Sequence, residues 1–308
     1  PPLPLHGIAL VDKIIAVFID GIIYSSWLFT AGIGLTLIYG VMKILNLTHG
    51  SFYSLGAYMA ASLTGYLLAN GMEPMLSYAV LFGSALFVAL VLAPLIERGV
   101  LKHMYVKDEV VIMLITYALF LILEDAIKMI WGVDPYFIGE PYGLLGSLEF
   151  GELIYPTYEL IQIVLALTAG LGLAYTLMRT RVGKLLLTVI HDPEVSRSLG
   201  INVNRFYLVT FTFGSLLAAF AGAFWAPKVS VVPGMGVEII VLSFAVIVIG
   251  GMGSLPGAAV GACIVGLVRS ISVHYAPQLE LFVIYLVMAL VLAFRPRGLF
   301  STAEARKI

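Results

Sequence analysis

The run Ile239-Ile240-Val241-Leu242-Ser243-Phe244-Ala245-Val246-Ile247-Val248-Ile249-Gly250-Gly251-Met252 carries no charge, and Leu281 to Phe294 repeats the pattern. Runs of this kind joined by short polar segments read as helices in lipid, where every backbone group must be satisfied internally. The whole chain agrees. With Gly counted as apolar and Tyr as polar, about 66% of its 308 residues are apolar, where soluble domains hold about 45–50%; Asp, Glu, Lys and Arg reach 11% against about 25%. So few charges could not cover a soluble particle. The sequence predicts an all-α, polytopic transmembrane helical bundle, one domain over residues 1–308.

Charge clusters and Pro/Gly turns divide the chain into nine candidate spans, at about 15–40, 50–69, 76–96, 109–131, 157–178, 206–226, 237–250, 256–271 and 279–294. The segments 237–250 and 256–271 are short against the roughly 20 residues a bilayer requires. Either can be a half-helix, so eight spans with one re-entrant segment stand beside nine. The first apolar segment, Ile14 to about Val41, is too long for a signal-peptide core and reads as a retained span.

Lys and Arg are retained on the cytoplasmic side. Arg98, Lys102 and Lys107, then Arg179, Arg181, Lys184, Arg197 and Arg205, then Arg295, Arg297, Arg306 and Lys307 make up 12 of the 17. Residues 132–156 instead hold Asp134, Glu140, Glu149 and Glu152 with no Lys or Arg, and read as an external loop. Its Tyr136, Phe137 and Tyr142 suit a docking surface for a soluble partner. Nine spans then put the amino terminus outside, the carboxy terminus inside, and Arg269 on the wrong side.

A net charge of −1 offers no basic field for nucleic acid. The single Cys263 has no intrachain partner, and no two His lie at a ligating spacing, so no metal site is expected. Neither H-E-x-x-H nor G-x-S-x-G occurs, and Gly183-Lys184 continues into Leu185, so there is no phosphate-binding loop. No catalytic residues and no cofactor are expected in this chain.

Three segments carry more than hydrophobicity. Asn46, Thr48, His49, Gly50 and Ser51 place polar groups beside glycine within bilayer reach. Such groups face either a protein interior or a water-filled path. Gly50, Ser54, Ala57 and Ala61 lie close to one helical face, as tight helix packing requires. Gly250, Gly251, Gly253, Ser254 and Gly257 surround Pro256, so the chain turns or breaks there. Broken helices in transporters often border the substrate path, though a tight inter-helix turn has the same composition. In the loop 179–205, Asp192 can cap a short helix at 193–199, with Pro193 in its first turn, Glu194 favourable beside it, and Gly200 at its stop. That helix is expected to expose Glu194, Ser196, Arg197 and Ser198 and to carry Val195 and Leu199 on one apolar side. In the fourth span Glu124 and Lys128 stand at i, i+4, which predicts their mutual pairing.

The runs Gly34-Leu-Thr-Leu-Ile-Tyr-Gly40, Asn46-Leu-Thr-His-Gly50 with Gly56-Ala57, Ser198-Leu-Gly-Ile201, Val248-Ile-Gly-Gly-Met-Gly-Ser-Leu-Pro-Gly257 and Arg295-Pro-Arg-Gly-Leu-Phe300 resemble the permeases of branched-chain amino acid ABC importers, of the subunit type usually encoded first of two. The resemblance runs from about 15 to 300. It implies a multi-pass protein of the prokaryotic cell (inner) membrane, working with a second homologous permease subunit, two cytoplasmic ATP-binding subunits that use ATP, and an extracytoplasmic substrate-binding protein. The helix 193–199 would be the coupling helix. Related permeases carry urea or amides, so the substrate stays open. The family often has Ala at Thr48 and an acidic residue at Ser51. A gradient-driven transporter is the rival reading, and its carboxylates could only be Asp20, Glu124, Asp125 and Glu238.

Overall fold

The computed structural model describes residues 5–150 and 153–300, so Glu152, Arg306 and Lys307 lie outside the described residues. Each expected span is a helix: α1 (Leu5–Met42), α2 (Thr48–Ala69), α3 (Ser77–Gly99), α4 (Glu109–Trp131), α5 (Thr157–Arg179), α8 (Val203–Trp225), α9 (Met235–Gly250), α10 (Leu255–Tyr275) and α11 (Glu280–Phe294). Between α5 and α8 lie α6 (Arg181–His191) and α7 (Pro193–Ser198). Among the described residues seven helices, α1, α3, α4, α5, α8, α10 and α11, are long and apolar enough to cross a membrane. Helix α2 has the length, 22 residues, but its buried Thr48, His49, Ser51, Ser54 and Thr64 lower its hydropathy.

Only one of the two segments read as short is so. Helix α9 has 16 residues, about 24 Å of rise against about 30 Å of hydrocarbon. Helix α10 continues to Tyr275, 21 residues, because the polar groups near its end are paired. Arg269 Nε lies 2.5 Å from Glu280 Oε1, and His274 Nε2 lies 3.3 Å from Asp20 Oδ2. Arg269, on the wrong side for that charge pattern, is therefore held by the start of α11.

Helix α1 is the axle. From Thr30 to Ile38 it is buried throughout, packed by α5, α8, α9 and α10. Small residues permit the approach: a Cβ on Gly266 of α10 would strike Ser25 of α1, and one on Gly222 of α8 would strike the Tyr53 carbonyl of α2. Dispersion through such contacts, rather than water exclusion, holds helices together in lipid.

The loop after α4 contains an antiparallel hairpin of β1 (Ser147–Phe150) and β2 (Leu153–Pro156), which pairs Leu148 with Tyr155. The loop is tied to the bundle. Tyr136 and Val231 exchange backbone bonds of 2.9 and 2.8 Å, and Tyr142 OH donates to Glu159 Oε1 at 2.8 Å. Burial, with Glu159 beside it, pushes the Tyr142 phenol well above its usual range. At the opposite end Tyr105 OH donates to Glu97 Oε1 at 2.7 Å, closing the turn from α3 towards α4.

Candidate functional site

The first polar segment forms a buried knot where α1, α2, α4 and α9 meet. Asn46, Thr48, His49 and Ser51 each have 0% exposure. Thr48 Oγ1 donates to Asn46 Oδ1 at 2.5 Å, His49 Nε2 meets the Ala31 carbonyl of α1 at 2.8 Å, and Ser51 Oγ reaches the Phe120 carbonyl of α4 at 3.4 Å. Thr116 of α4 accepts from Leu47 N and donates to the Leu45 carbonyl, both at 3.2 Å. Gly50 lies so close to Gly236 that a side chain at either position would meet the other's carbonyl. The expected small face is buried at Gly50, Ser54, Ala57 and Ala61. Two atoms of the knot, His49 Nδ1 and Asn46 Nδ2, have no protein partner. A buried polar atom left unmade costs about 1–3 kcal/mol, so such atoms mark where water or a conformational change has a use for them.

Helix α9 is held at both ends by remote elements. At its start Gly234 N donates to Glu124 Oε2 at 3.0 Å, while Ser54 Oγ donates to Glu124 Oε1 at 3.2 Å. Glu124 therefore does not pair with Lys128, which bonds Asp125 at 3.0 Å instead. The i, i+4 geometry was available, but Glu124 points inward and is 5% exposed, where α9 offers a backbone donor. At its end the α9 carbonyls of Ile249 and Gly250 accept from Leu299 N at 2.9 Å and Phe300 N at 2.8 Å. The tail Arg295 to Phe300 thus caps the helix.

The second expected segment is a tight break. Ser254 Oγ accepts from Gly257 N at 3.1 Å and caps α10, with Pro256 in its first turn. Gly250 and Gly257 touch backbone to backbone, and Gly253 lies against Gly40 of α1. Both segments therefore pack on α1, His49 at Ala31 and Gly253 at Gly40, about 13 Å apart along that helix. No hydrogen bond joins the two among the described residues.

Helix α7 has the expected ends. Asp192 Oδ1 accepts from Glu194 N and Val195 N, both at 2.9 Å. Gly200 takes φ +82°, and the bonds Gly200 N to Arg197 O at 3.0 Å and Ile201 N to Ser196 O at 2.9 Å close the end as a Schellman motif. One face differs from expectation. Ser196 is buried, its Oγ donating to the Asp192 carbonyl at 2.7 Å, whereas Val195 and Leu199 are exposed at 50% and 69%. A six-residue helix has too little apolar surface to bury a stripe on its own bundle, and its compact serine fits the inner side. Helix α6 before it was missed. The Thr180 side chain caps it, accepting from Gly183 N at 3.1 Å, and Leu186 and Val189 turn inward; that three-residue spacing was legible in the sequence.

Helices long and apolar enough to cross a bilayer, one short helix hung between remote caps, and a capped helix at the basic end define a multi-pass helical membrane protein. The sequence profile of the family described as "Branched-chain amino acid transport system / permease component" matches residues 17–292, and the chain belongs to that family. It is 26% identical over 299 residues to the high-affinity branched-chain amino acid transport system permease protein BraD of Pseudomonas aeruginosa, covering 94% of this chain and 96% of the relative. LivH of Escherichia coli is 24% identical over 295 residues, with 94% and 96% covered. The probable branched-chain amino acid transport permease protein LivH of Methanocaldococcus jannaschii is 28% identical over 260 residues, with 82% and 79% covered.

Proposed function

We propose that this chain is the permease subunit of an ABC importer, forming with a second homologous permease subunit the translocation path for branched-chain or other hydrophobic amino acids. It does no covalent chemistry; two cytoplasmic ATP-binding subunits hydrolyse ATP, and an extracytoplasmic binding protein delivers substrate to the end that carries the loop 132–156. On this reading the basic end, with α6, α7 and the tail, is cytoplasmic, and the amino terminus is outside.

The observation that carries the reading is α7. Both its ends are specified by local bonds, yet Val195 and Leu199 stay exposed, an apolar pair on a charged end that suits burial against another protein. Asp192, Pro193, Glu194, Arg197 and Gly200 build and present that contact. Asn46, Thr48, His49, Gly50 and Ser51, with Gly250, Gly251, Gly253, Ser254 and Gly257, line or directly support the path. Their polarity and backbone proximity at membrane depth support this, since both are costly where a site is neither used nor fully paired.

The test is site-directed crosslinking. With Leu199→Cys in a Cys263→Ser background, a short bifunctional reagent is expected to join this chain to the ATP-binding subunit in the assembled complex. Efficient crosslinking from Leu63→Cys on the far end of α2, with none from Leu199→Cys, would remove the assignment.

A further inference from the structure

Glu238 is the one carboxylate of the four set aside for a gradient-driven transporter that has no hydrogen-bond or ion-pair partner among the described residues. Asp20 faces His274, Glu124 holds α2 and α9, and Asp125 holds Lys128. Arg269 stacks on the Tyr24 ring, 3.9 Å from its centroid, and is already paired with Glu280. Glu238 is exposed on the first turn of α9.

Its depth is fixed from two directions. It stands twelve residues above Gly250, about 18 Å, and Gly250 is pinned to the tail beside Arg295 and Arg297. From the other side, Glu124 contacts the start of α9 seven residues before α4 ends at Trp131, about 10 Å below that end. An exposed carboxylate there lies within the hydrocarbon layer, where a charge facing acyl chains is expensive and unpaired charges face a cavity or another protein. The same face of α9 continues with Val237 and Val241, exposed at 48% and 36%. A free carboxylate within one turn of a branched aliphatic wall is complementary to the two ends of a branched-chain amino acid, its ammonium and its side chain.

Building on the permease reading above, we propose that Glu238 receives the substrate's ammonium group, with Val237 and Val241 against its side chain, making this face of α9 a specificity-determining wall of the translocation path.

The experiment uses the complete complex in proteoliposomes, with Cys263→Ser and Val241→Cys as the reporter and a small water-soluble thiol reagent. L-Leucine is expected to slow labelling of the reporter at least fivefold, and 4-methylpentanoate, the same skeleton without the ammonium, to leave it unchanged. Adding Glu238→Gln should abolish protection by leucine, and Glu238→Asp should retain it. Equal protection in the Glu238→Gln complex would overturn the proposal. So would a reporter that never labels, or loss of the second permease subunit on Glu238→Gln, which would assign the carboxylate to an intersubunit ion pair. Leucine uptake by the complex without substitutions separates the two levels. Uptake without protection overturns this proposal alone, and absence of uptake overturns the permease reading with it.

Discussion

Glu124 ties three helices with one carboxyl group: its own α4, the hydroxyl of Ser54 on α2, and the backbone N–H of Gly234 at the start of α9. Glu124→Ala removes both acceptors and leaves that backbone donor unmade at membrane depth, a loss of about 2–4 kcal/mol. Glu124→Gln keeps one amide oxygen and should lose about half as much. Thermal unfolding of the detergent-purified complex measures it, and an unchanged midpoint for Glu124→Ala would show that water replaces the carboxyl without cost. The residue was legible in the sequence as a charge inside a span, but its partner was not. Local spacing favoured Lys128, four residues away, whereas the actual partner is the backbone N–H donor of Gly234, which no helical periodicity connects to it. His49 was similarly visible as a polar group in an apolar context, while its bond to the Ala31 carbonyl depends on how α1 and α2 cross.

At the scale of elements, legibility followed how local the determinants are. The ends of α7 are set by Asp192, Pro193 and Gly200 themselves, and the sequence predicted them within one residue. The lengths of α9 and α10 are set by distant partners, Glu124 and the tail for one, Asp20 and Glu280 for the other, so the two segments looked alike until folded. Two turns of helix return few hydrogen bonds for a costly nucleus, so α7 depends on its caps. Asp192→Ala should cost about 1 kcal/mol of local stability, and Gly200→Val should cost more, since φ +82° is strained for a β-branched residue. Both variants are expected to lower substrate-stimulated ATP hydrolysis by the assembled complex while the chain still inserts; rates equal to the parent for both would reduce α7 to a connector. A second prediction concerns the two polar segments. Cysteines replacing Asn46, Thr48, Gly253 or Ser254 should react with water-soluble thiol reagents in at least one state of the transport cycle. Protection in the apo, binding-protein-bound and ATP-bound states alike would make both segments packing only.

The whole molecule is organised by a charge asymmetry: basic side chains gather at the end of α6 and α7, and the opposite loop is acidic. Composition alone made the multi-pass bundle legible, because so few charges leave no other way to bury the chain. The small hairpin in the loop was not legible, since its strands are four residues each and carry no sustained alternation. The central claim is that this bundle moves amino acids on energy supplied by partner subunits. The most direct measurement is radiolabelled leucine uptake into sealed proteoliposomes holding the complete complex and binding protein, with ATP or an imposed ion gradient as the only energy source. Accumulation that requires ATP and the ATP-binding subunits, and is indifferent to the gradient, is the predicted result; accumulation driven by an ion gradient with those subunits left out would contradict it.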